Sequence, residues 1–346
     1  MPDRRLVCRQ CGRDFVFTEG EQRFFAERGY RPPTRCPQCR QRNRSSQPSQ
    51  AHSGSAHDHP AVVDRPPGLP ADYLREGYHD TYGLLRREIF AQEAREVALA
   101  LTSPQLGSSS MKNSSLRRFF NQLKALQYEY NLQHDFGAIV SKLYAFLNAA
   151  EYAVARNVVP QLFKDFVAAN VQLASQGPEE FKGFLEHYES VVAYARNDQG
   201  QSPVQWLNAP GLPDGYLAQG YFDTDGHLLR QVLVEWPQHL VQTFAHGRPP
   251  LTSSALRNFF TKLKGLENRL RASHDMARVL PDLYAFERDA AYAANRQVVP
   301  PVFFTFIVKN VDLATANPHS FTGFKDHFQA VVAYGKGALR EGGSRR

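Results

Sequence analysis

Cysteine is scarce in this chain of 346 residues, and its four cysteines all lie before residue 40. This distribution does not suit a domain held together by disulfides along its length. No apolar run approaches the ~20 residues needed to span a bilayer. The N-terminus also has no apolar segment typical of a signal peptide. We therefore expect a protein of the reducing cytoplasm, without a membrane anchor.

Recognisable catalytic patterns are also missing. The sequence has no glycine-rich phosphate loop, no Cys/His nucleophile pair and no paired carboxylates on one predicted helix face. His134-Asp135 recurs as His274-Asp275, and such pairs can ligate metals in phosphohydrolases. That chemistry needs further ligands on neighbouring helices, whereas Asp135 has the simpler role of capping a helix. We therefore predict that the chain is not an enzyme.

The formal net charge of +7 is unevenly distributed. Residues 1–44 hold 11 arginines and 5 acidic residues, which gives +6, so the rest of the chain carries only +1. The larger part is therefore not a general polycation. If it binds a nucleic acid, it must do so through locally grouped lysines and arginines.

The cysteines form two CxxC pairs, Cys8 with Cys11 and Cys36 with Cys39, separated by 24 residues. Two such pairs can place four thiolates around one zinc ion and leave no open position for water, so we predict a structural zinc site. The segments CRQCGRDFVFTEGEQRFFAERG and CPQC resemble zinc-binding ribbon domains. A unit of about 40 residues is too small to fold by burial alone, so the metal would contribute folding energy.

The rest of the chain contains a duplication. Aligned without a gap at a shift of 140, Leu116–Tyr194 and Leu256–Tyr334 share 35 of 79 residues. The repeat is too long for a solenoid, so each copy is expected to form its own globule. The predicted domains are a four-Cys zinc ribbon at 1–44, a flexible linker at 45–68, helical copy 1 at 69–197, a linker at 198–211, helical copy 2 at 212–337 and a tail at 338–346.

Helical periodicity dominates both copies. The segment LTSSALRNFFTKLKGL puts Leu256, Phe259, Phe260, Leu263 and Leu266 on one helix face, and MKNSSLRRFFNQLKAL does the same in copy 1. We predict an all-α fold of two similar antiparallel helical bundles in tandem, preceded by the small zinc ribbon. The expected helices are 82–101, 114–133, 136–157, 160–175 and 178–196, then 224–246, 253–273, 276–297, 300–315 and 318–336.

Several residues predict how these helices begin or bend. Pro237 is expected to kink the first helix of copy 2, because proline cannot donate a helix hydrogen bond. Residues of the types that cap helices precede the second and third helices of each copy, namely Ser114 or Ser115, Thr252 or Ser253, Asp135 and Asp275.

Four basic positions recur between the copies: Arg117/Arg257, Lys124/Lys264, Arg156/Arg296 and Arg196/Lys336. One interpretation is a solvated helix surface. Arg156 and Arg196 lie at predicted helix ends, where a cation also offsets the negative helix terminus. That explanation fails for Arg117 and Arg257, which lie near a helix start. A bound anion would explain them.

Each copy resembles the small subunit of type III-A CRISPR interference complexes. The resemblance rests on LPDGYLAQGYFDTDG, LTSSALRNFF, YAANR and FKDHFQAVVAY in copy 2, and on LPADYLREGYHDTYG, MKNSSLRRFF, YAVAR and FLEHYESVVAY in copy 1. It implies a non-catalytic subunit whose copies stack along a crRNA-bearing backbone and line the groove for target RNA. Its implied partners are target RNA, the backbone and large subunits, and further small-subunit copies along the filament. The implied RNA contacts, made without base reading, fall on Arg117, Lys124, Arg156, Arg196, Arg257, Lys264, Arg296 and Lys336.

The short connection between the copies limits their separation to an average of ~20 Å and a maximum of ~50 Å. We therefore expect the fused copies to fill adjacent places in one filament. An alternative hypothesis is a zinc-ribbon adaptor whose helices bind only protein partners. A further possibility is that the ribbon itself binds nucleic acid through Arg35, Arg40, Arg42 and Arg44.

Overall fold

The computed structural model describes residues 4–7, 14–17, 22 and 68–341. The chain divides into two compact units, residues 1–64 and 65–346. In the first unit, strands β1 (Arg4–Val7) and β2 (Asp14–Phe17) pair antiparallel, with Arg4 opposite Phe17 and Val7 opposite Asp14. No helix among the described residues is both long and apolar enough to cross a membrane.

The second unit is built from two similar sets of helices. The first bundle contains α1 (Arg87–Phe90), α2 (Gln92–Leu101), α3 (Asn113–Gln133), α4 (Phe136–Ala155), α5 (Gln161–Ala174) and α6 (Pro178–Tyr194). The second contains α7 (Arg230–Leu233), α8 (Glu235–His246), α9 (Ser253–Ser273), α10 (Leu280–Asn295), α11 (Pro301–Ala314) and α12 (Pro318–Ala338). The predicted all-α fold with two tandem bundles is confirmed.

The cores of the two bundles use equivalent aromatic contacts. In α3 the ring of Phe119 lies 4.8 Å from that of Phe163 and 5.8 Å from that of Phe146. In α9 the ring of Phe259 lies 5.2 Å from that of Phe303 and 5.6 Å from that of Phe286. Mostly edge-on aromatic packing of this kind adds specific geometry to apolar burial. The apolar stripe of the longest helices therefore faces the core, as predicted.

The first predicted helix of each copy is broken, and proline is not the cause. The break falls at Ala91 in the first bundle and at Val234 in the second, where the backbone φ/ψ pair lies outside the α-helical region. Alanine occupies position 94, the counterpart of Pro237, yet the break is the same. Pro237 lies in the first turn of α8, where its missing N–H needs no partner. The prediction that Pro237 kinks a helix interior is wrong.

The predicted helix caps are only partly confirmed. Thr252 accepts a hydrogen bond from the Ala255 N–H at 3.2 Å, and Asp135 accepts one from Ala138 at 3.1 Å. In the first bundle α3 begins at Asn113, so neither Ser114 nor Ser115 is its cap. Asp275 accepts from the Ala277 N–H in a turn, and α10 begins only at Leu280, so Asp275 does not cap it.

Each bundle buries a histidine in a polar network. His187 Nδ1–H donates to the Ile89 carbonyl at 2.7 Å, while its Nε2 accepts from the Tyr73 hydroxyl at 2.8 Å. Asn170 donates to that same hydroxyl at 2.7 Å and accepts from the Tyr78 hydroxyl at 2.7 Å. His327 repeats the arrangement with the Val232 carbonyl and the Tyr216 hydroxyl. These recurring histidines are therefore core residues with both ring nitrogens bonded.

The two bundles pack against each other and form one compact unit, so the expectation of separate globules is wrong. Helix α6 of the first bundle lies on α10 of the second, and α1 also contacts α10. The connecting segment between the bundles is held as well, since the Thr305 hydroxyl donates to the Trp206 carbonyl at 2.7 Å. In the first bundle, we call the surface formed by α1, α2 and α6 the front face and the surface carrying α4 the back face. In the second bundle, the front face is formed by α7, α8 and α12, and the back face carries α10. The inner joint is the contact between the front face of the first bundle and the back face of the second.

Candidate nucleic-acid interface

The inner joint is built around a buried carboxylate. Glu287 on α10 is only 2% exposed. It accepts from Arg95 Nη2 at 2.5 Å and from the Tyr194 hydroxyl at 3.3 Å. Burial raises the pKa of Glu287, while Arg95 and Arg87 lower it. The negative charge of Glu287 is therefore balanced by Arg95 and Arg87, which belong to the first bundle, as does Tyr194.

A second ionic group lies beside the first. Arg288 is buried at the inner joint and forms ion pairs with Glu186 and Glu189 of α6. Arg87 forms an ion pair with Asp312, and its guanidinium lies 5.8 Å from the Tyr284 ring centre. Because a buried charge is costly unless it is paired, the ion pairs of Arg288 with Glu186 and Glu189 fix the register of α10 against α6.

At one end of the inner joint, the backbone of the first bundle is held by Asn295. Its Nδ2 donates to the Ala193 carbonyl at 3.0 Å and to the Ala195 carbonyl at 2.9 Å. A pocket of about 340 Å³ opens there, which we call the seam pocket. Both bundles and their connection line it, through Asn113, Ser114, Arg117, Asn197, Asp198, Gln199, Asn295, Arg296 and Gln297.

The seam pocket brings together two of the predicted RNA contacts, one from each bundle. Arg117 and Arg296 both lie against Tyr292, with guanidinium carbons 5.5 and 5.7 Å from the ring centre. With Asp198 also lining the pocket, the formal charge of its lining is +1. Cation–aromatic stacking positions each guanidinium without using its N–H donors.

Several polar atoms of the seam pocket residues are left unpaired. Within the described chain, Arg117 Nε and the side-chain oxygens of Asn113 and Asn295 are buried without a hydrogen-bond partner. Asn113 and Asn295 are 7% and 3% exposed. Since a buried polar group without a partner is costly, this combination favours a ligand that both accepts and donates hydrogen bonds.

A second basic pocket, of about 260 Å³, lies in the second bundle between α9 and α12. Arg257 and Lys336 both line it, together with the carboxylate residue Glu341. Arg257 is held by its own helix, since Nε and Nη2 donate to the Ser253 carbonyl and hydroxyl at 3.2 and 3.1 Å. The recurring arginines are thus equivalent in sequence but differently placed, because only Arg117 lies at the inner joint.

The other four predicted contacts are more isolated. Lys124, Lys264 and Arg156 are exposed, and the Arg156 guanidinium lies 5.6 Å from the centre of the exposed Tyr152 ring. Arg196 is half-buried, and its backbone N–H donates to the Thr102 hydroxyl at 3.2 Å. Lys124 and Lys264 are seven residues beyond Arg117 and Arg257, roughly 10 Å along the helix. The predicted zinc ligands Cys8, Cys11, Cys36 and Cys39 lie outside the described residues.

Sequence reasoning missed the residues that complete the seam pocket. In the sequence Tyr292 is only part of a repeated segment, and Asn295 belongs to no recurring basic position. The signal was a difference between the copies: Asn295 replaces Ala155, and Glu287-Arg288 replace Leu147-Asn148. Such changes inside otherwise similar helices mark the surface that one copy buries and the other does not.

These features define a tandem helical-bundle protein with a basic pocket at the joint between its bundles. Residues 88–201 and 232–339 match the family model described as "Csm2 Type III-A". Residues 2–47 match the model described as "Probable treble clef domain". The treble clef is a zinc-binding fold, and it takes the place of the zinc ribbon suggested by the sequence. No curated protein and no solved structure matches the chain.

The two Csm2 segments together cover more than half of the chain, and the chain therefore belongs to the Csm2 type III-A family. The resemblance inferred from the sequence is confirmed. Members of this family are structural small subunits of type III-A CRISPR effector complexes, which contain crRNA and other Csm subunits.

Proposed function

We propose that this chain is a non-catalytic structural subunit that lines the target-RNA groove of a type III CRISPR interference complex. Each chain fills two adjacent small-subunit places, bundle 1 at residues 69–197 and bundle 2 at 212–337. The complex is cytoplasmic, and its backbone subunits, large subunit and further small-subunit copies are the protein partners.

The observation that carries the RNA proposal is the seam pocket. Arg117 and Arg296 offer guanidinium donors, and Arg117 Nε has no partner among the described residues. Phosphate oxygens accept from such donors, whereas a ribose 2′-hydroxyl can donate to the unpaired oxygens of Asn113 and Asn295. A ribonucleotide backbone therefore satisfies both kinds of group without any base contact. The exposed Lys124 and Lys264 would extend this track along their helices.

Replacing Arg117 and Arg296 by glutamine should weaken binding of single-stranded RNA and make it less sensitive to salt. The slope of log affinity against log salt should fall by about 1.4 in magnitude, because each lost phosphate contact on a single strand contributes about 0.7. Fluorescence anisotropy with labelled oligo-U and oligo-A at several salt concentrations measures the slope. Both sequences should lose affinity equally.

The matched control removes the same charge elsewhere. Arg118 and Arg278 are exposed and do not line the seam pocket, so their replacement by glutamine should leave the slope unchanged. Equal effects of the two pairs, or no effect of either, would contradict the proposed contacts. RNA-independent binding to the complex would then favour the alternative of a protein-only adaptor.

We also propose that Cys8, Cys11, Cys36 and Cys39 hold one structural zinc ion. Support comes from the CxxC spacing and from the treble clef match over residues 2–47. Cys8 and Cys11 fall in the sequence between strands β1 and β2. Four thiolates leave no position for a reacting water, so the ion would stabilise the fold.

Removing zinc with a chelator should unfold the N-terminal unit and leave the helical unit folded, because a unit of about 40 residues depends on its metal. Limited proteolysis should then cleave within residues 1–44, while the helical circular dichroism signal stays. One zinc per chain is expected by atomic absorption. Loss of helical signal on chelation, or the absence of zinc, would contradict this proposal.

A further inference from the structure

Another pocket adjoins the seam pocket, and the segment that connects the two bundles forms part of its wall. It has a volume of about 390 Å³, and we call it the connector pocket. Gln199 and Gln297 line both pockets, and Gln297 Nε2 donates to Gln199 Oε1 at 2.8 Å. The two pockets therefore meet at this pair of glutamines. The other residues that line the connector pocket are Gln201, Trp206, Arg248, Pro249, Ala294 and Pro301.

Trp206 is the aromatic residue of the connector pocket. Its half-buried side chain packs partly against the hydrophobic core and also lines the pocket. Among the residues that the structure describes, its indole N–H has no hydrogen-bond acceptor, and its ring stacks on no other aromatic ring and under no cation. A large aromatic ring that lines a pocket without such a partner is a surface on which a flat ligand can stack.

Hydrogen bonds to both bundles fix the backbone around Trp206. Its carbonyl accepts from the hydroxyl of Thr305 in the second bundle at 2.7 Å. The Ser202 hydroxyl donates to the carbonyl of Tyr194 in the first bundle at 2.5 Å. Trp206 also lies between the two segments that match the Csm2 family model. The ring is therefore held in place by the connection between the copies, and a ligand that stacks on it would have little backbone to order.

The lining of the connector pocket suits a ligand with apolar faces and polar edges. Trp206, Pro249, Ala294 and Pro301 provide apolar surface, and the side-chain amides of three glutamines provide donors and acceptors. Arg248 is exposed, has no ion-pair partner in the described part of the chain, and gives the lining a formal charge of +1. A nucleobase combines a flat stacking face with an edge of donors and acceptors, and it belongs to an anionic strand.

We propose that the connector pocket binds one unpaired base of an RNA strand whose phosphate lies in the seam pocket, and that this base stacks on Trp206. The inference rests on the proposed phosphate contacts of Arg117 and Arg296. Base and phosphate are joined through one ribose, so a phosphate held by these arginines brings the neighbouring base to the glutamines that both pockets share. Because stacking uses only the face of a base, it adds affinity without reading the sequence.

The intrinsic fluorescence of the full chain tests the stacking directly, because the chain has only two tryptophans. Trp236 is buried and does not line the connector pocket, so Trp236→Phe leaves Trp206 as the only indole. Oligo-U RNA should quench the emission of this variant, since a base stacked on an indole quenches it. The same RNA should leave the emission of Trp206→Phe nearly unchanged, and a comparison of Trp206→Phe with the wild type gives the answer even if Trp236→Phe does not fold.

Affinity measurements separate the aromatic ring from apolar packing. Trp206→Leu should weaken binding of oligo-U at least about fivefold, the lower end of the loss typical of one stacked base. The salt slope should stay the same, because no charge is removed. Trp206→Phe should recover most of the affinity, since it restores an aromatic face. Tyr82→Leu is the matched control, because Tyr82 is 87% exposed and lines neither pocket, and it should bind like the wild type.

The outcomes distinguish this inference from the proposed function. Wild-type affinity of Trp206→Leu, or salt-dependent RNA binding without quenching in Trp236→Phe, would overturn the base site and leave the phosphate contacts standing. The Arg117→Gln/Arg296→Gln variant should lower the salt slope yet still be quenched at saturating RNA, because its tryptophan is intact. If the wild-type chain binds no RNA at all, the proposed function and the base site are both overturned.

Discussion

Replacing Glu287 by alanine is expected to destabilise the helical unit by about 3–5 kcal/mol, the cost typical of breaking a buried ion pair by removing one partner. The carboxylate accepts from Arg95 and Tyr194 at the centre of the inner joint. Without it, the guanidinium of Arg95 keeps its burial but loses its counter-charge. Urea unfolding followed by circular dichroism measures the change, which should include earlier separation of the two bundles.

Two comparisons distinguish this effect from a general loss of charge. Glu151 pairs with Lys164 at the surface, so Glu151→Ala should cost no more than about 1 kcal/mol. The double replacement of Glu287 and Arg95 by leucine should recover much of the lost stability, since it leaves no unpaired charge at that position. If Glu287→Ala behaves like Glu151→Ala, the carboxylate does not hold the joint.

Acidification from pH 6.5 to pH 4 is expected to remove about 3 kcal/mol of stability for each buried histidine, at 1.36 kcal/mol per pKa unit. Burial lowers the pKa of His187 and of His327 to about 4, against which the hydrogen bonds to Ile89 and Val232 act only in part. The unfolded chain binds these protons near pH 6.5 and the folded chain near pH 4. The stability is therefore fully present above pH 6.5 and falls through this window.

The measurement is the urea midpoint as a function of pH for the wild type and for a His187→Gln/His327→Gln variant. The variant should be less stable at neutral pH but show a flatter decline between pH 6.5 and 4. His246→Gln is the control, because His246 is exposed, and it should keep the wild-type decline. An equally steep decline in the double variant would show that other groups cause the acid sensitivity.

The bundle fold could be predicted because its signal is local and repeated. Leu256, Phe259 and Leu263 recur at helical spacing in both copies, and the structure buries all three. Helix ends were predicted less well, because nothing in the residue composition around Ala91 and Val234 indicates that the helix breaks there. Their common position in two different sequences indicates that packing against the rest of the bundle sets them.

The candidate site was predictable only in its residue types. The recurring cations could be found from the duplication, but Arg117 meets Arg296 only because the bundles pack front to back. That contact joins residues far apart in sequence, and no local pattern specifies it. The burial of Glu287 was hidden for the same reason, since a charged residue on a helix usually predicts an exposed surface.

The front-to-back packing of the bundles gives the molecule a direction. One outer end of the helical unit exposes Tyr144 and Tyr152 of the first bundle, and the opposite end exposes Leu233 and Tyr334 of the second bundle. A protein that binds one of these ends has no reason to bind the other. If several chains were aligned in a row, the proteins bound at the two ends of that row would therefore be different molecules. Because the bundles are covalently paired, such a row would also grow by two bundles at each step and would contain an even number of them.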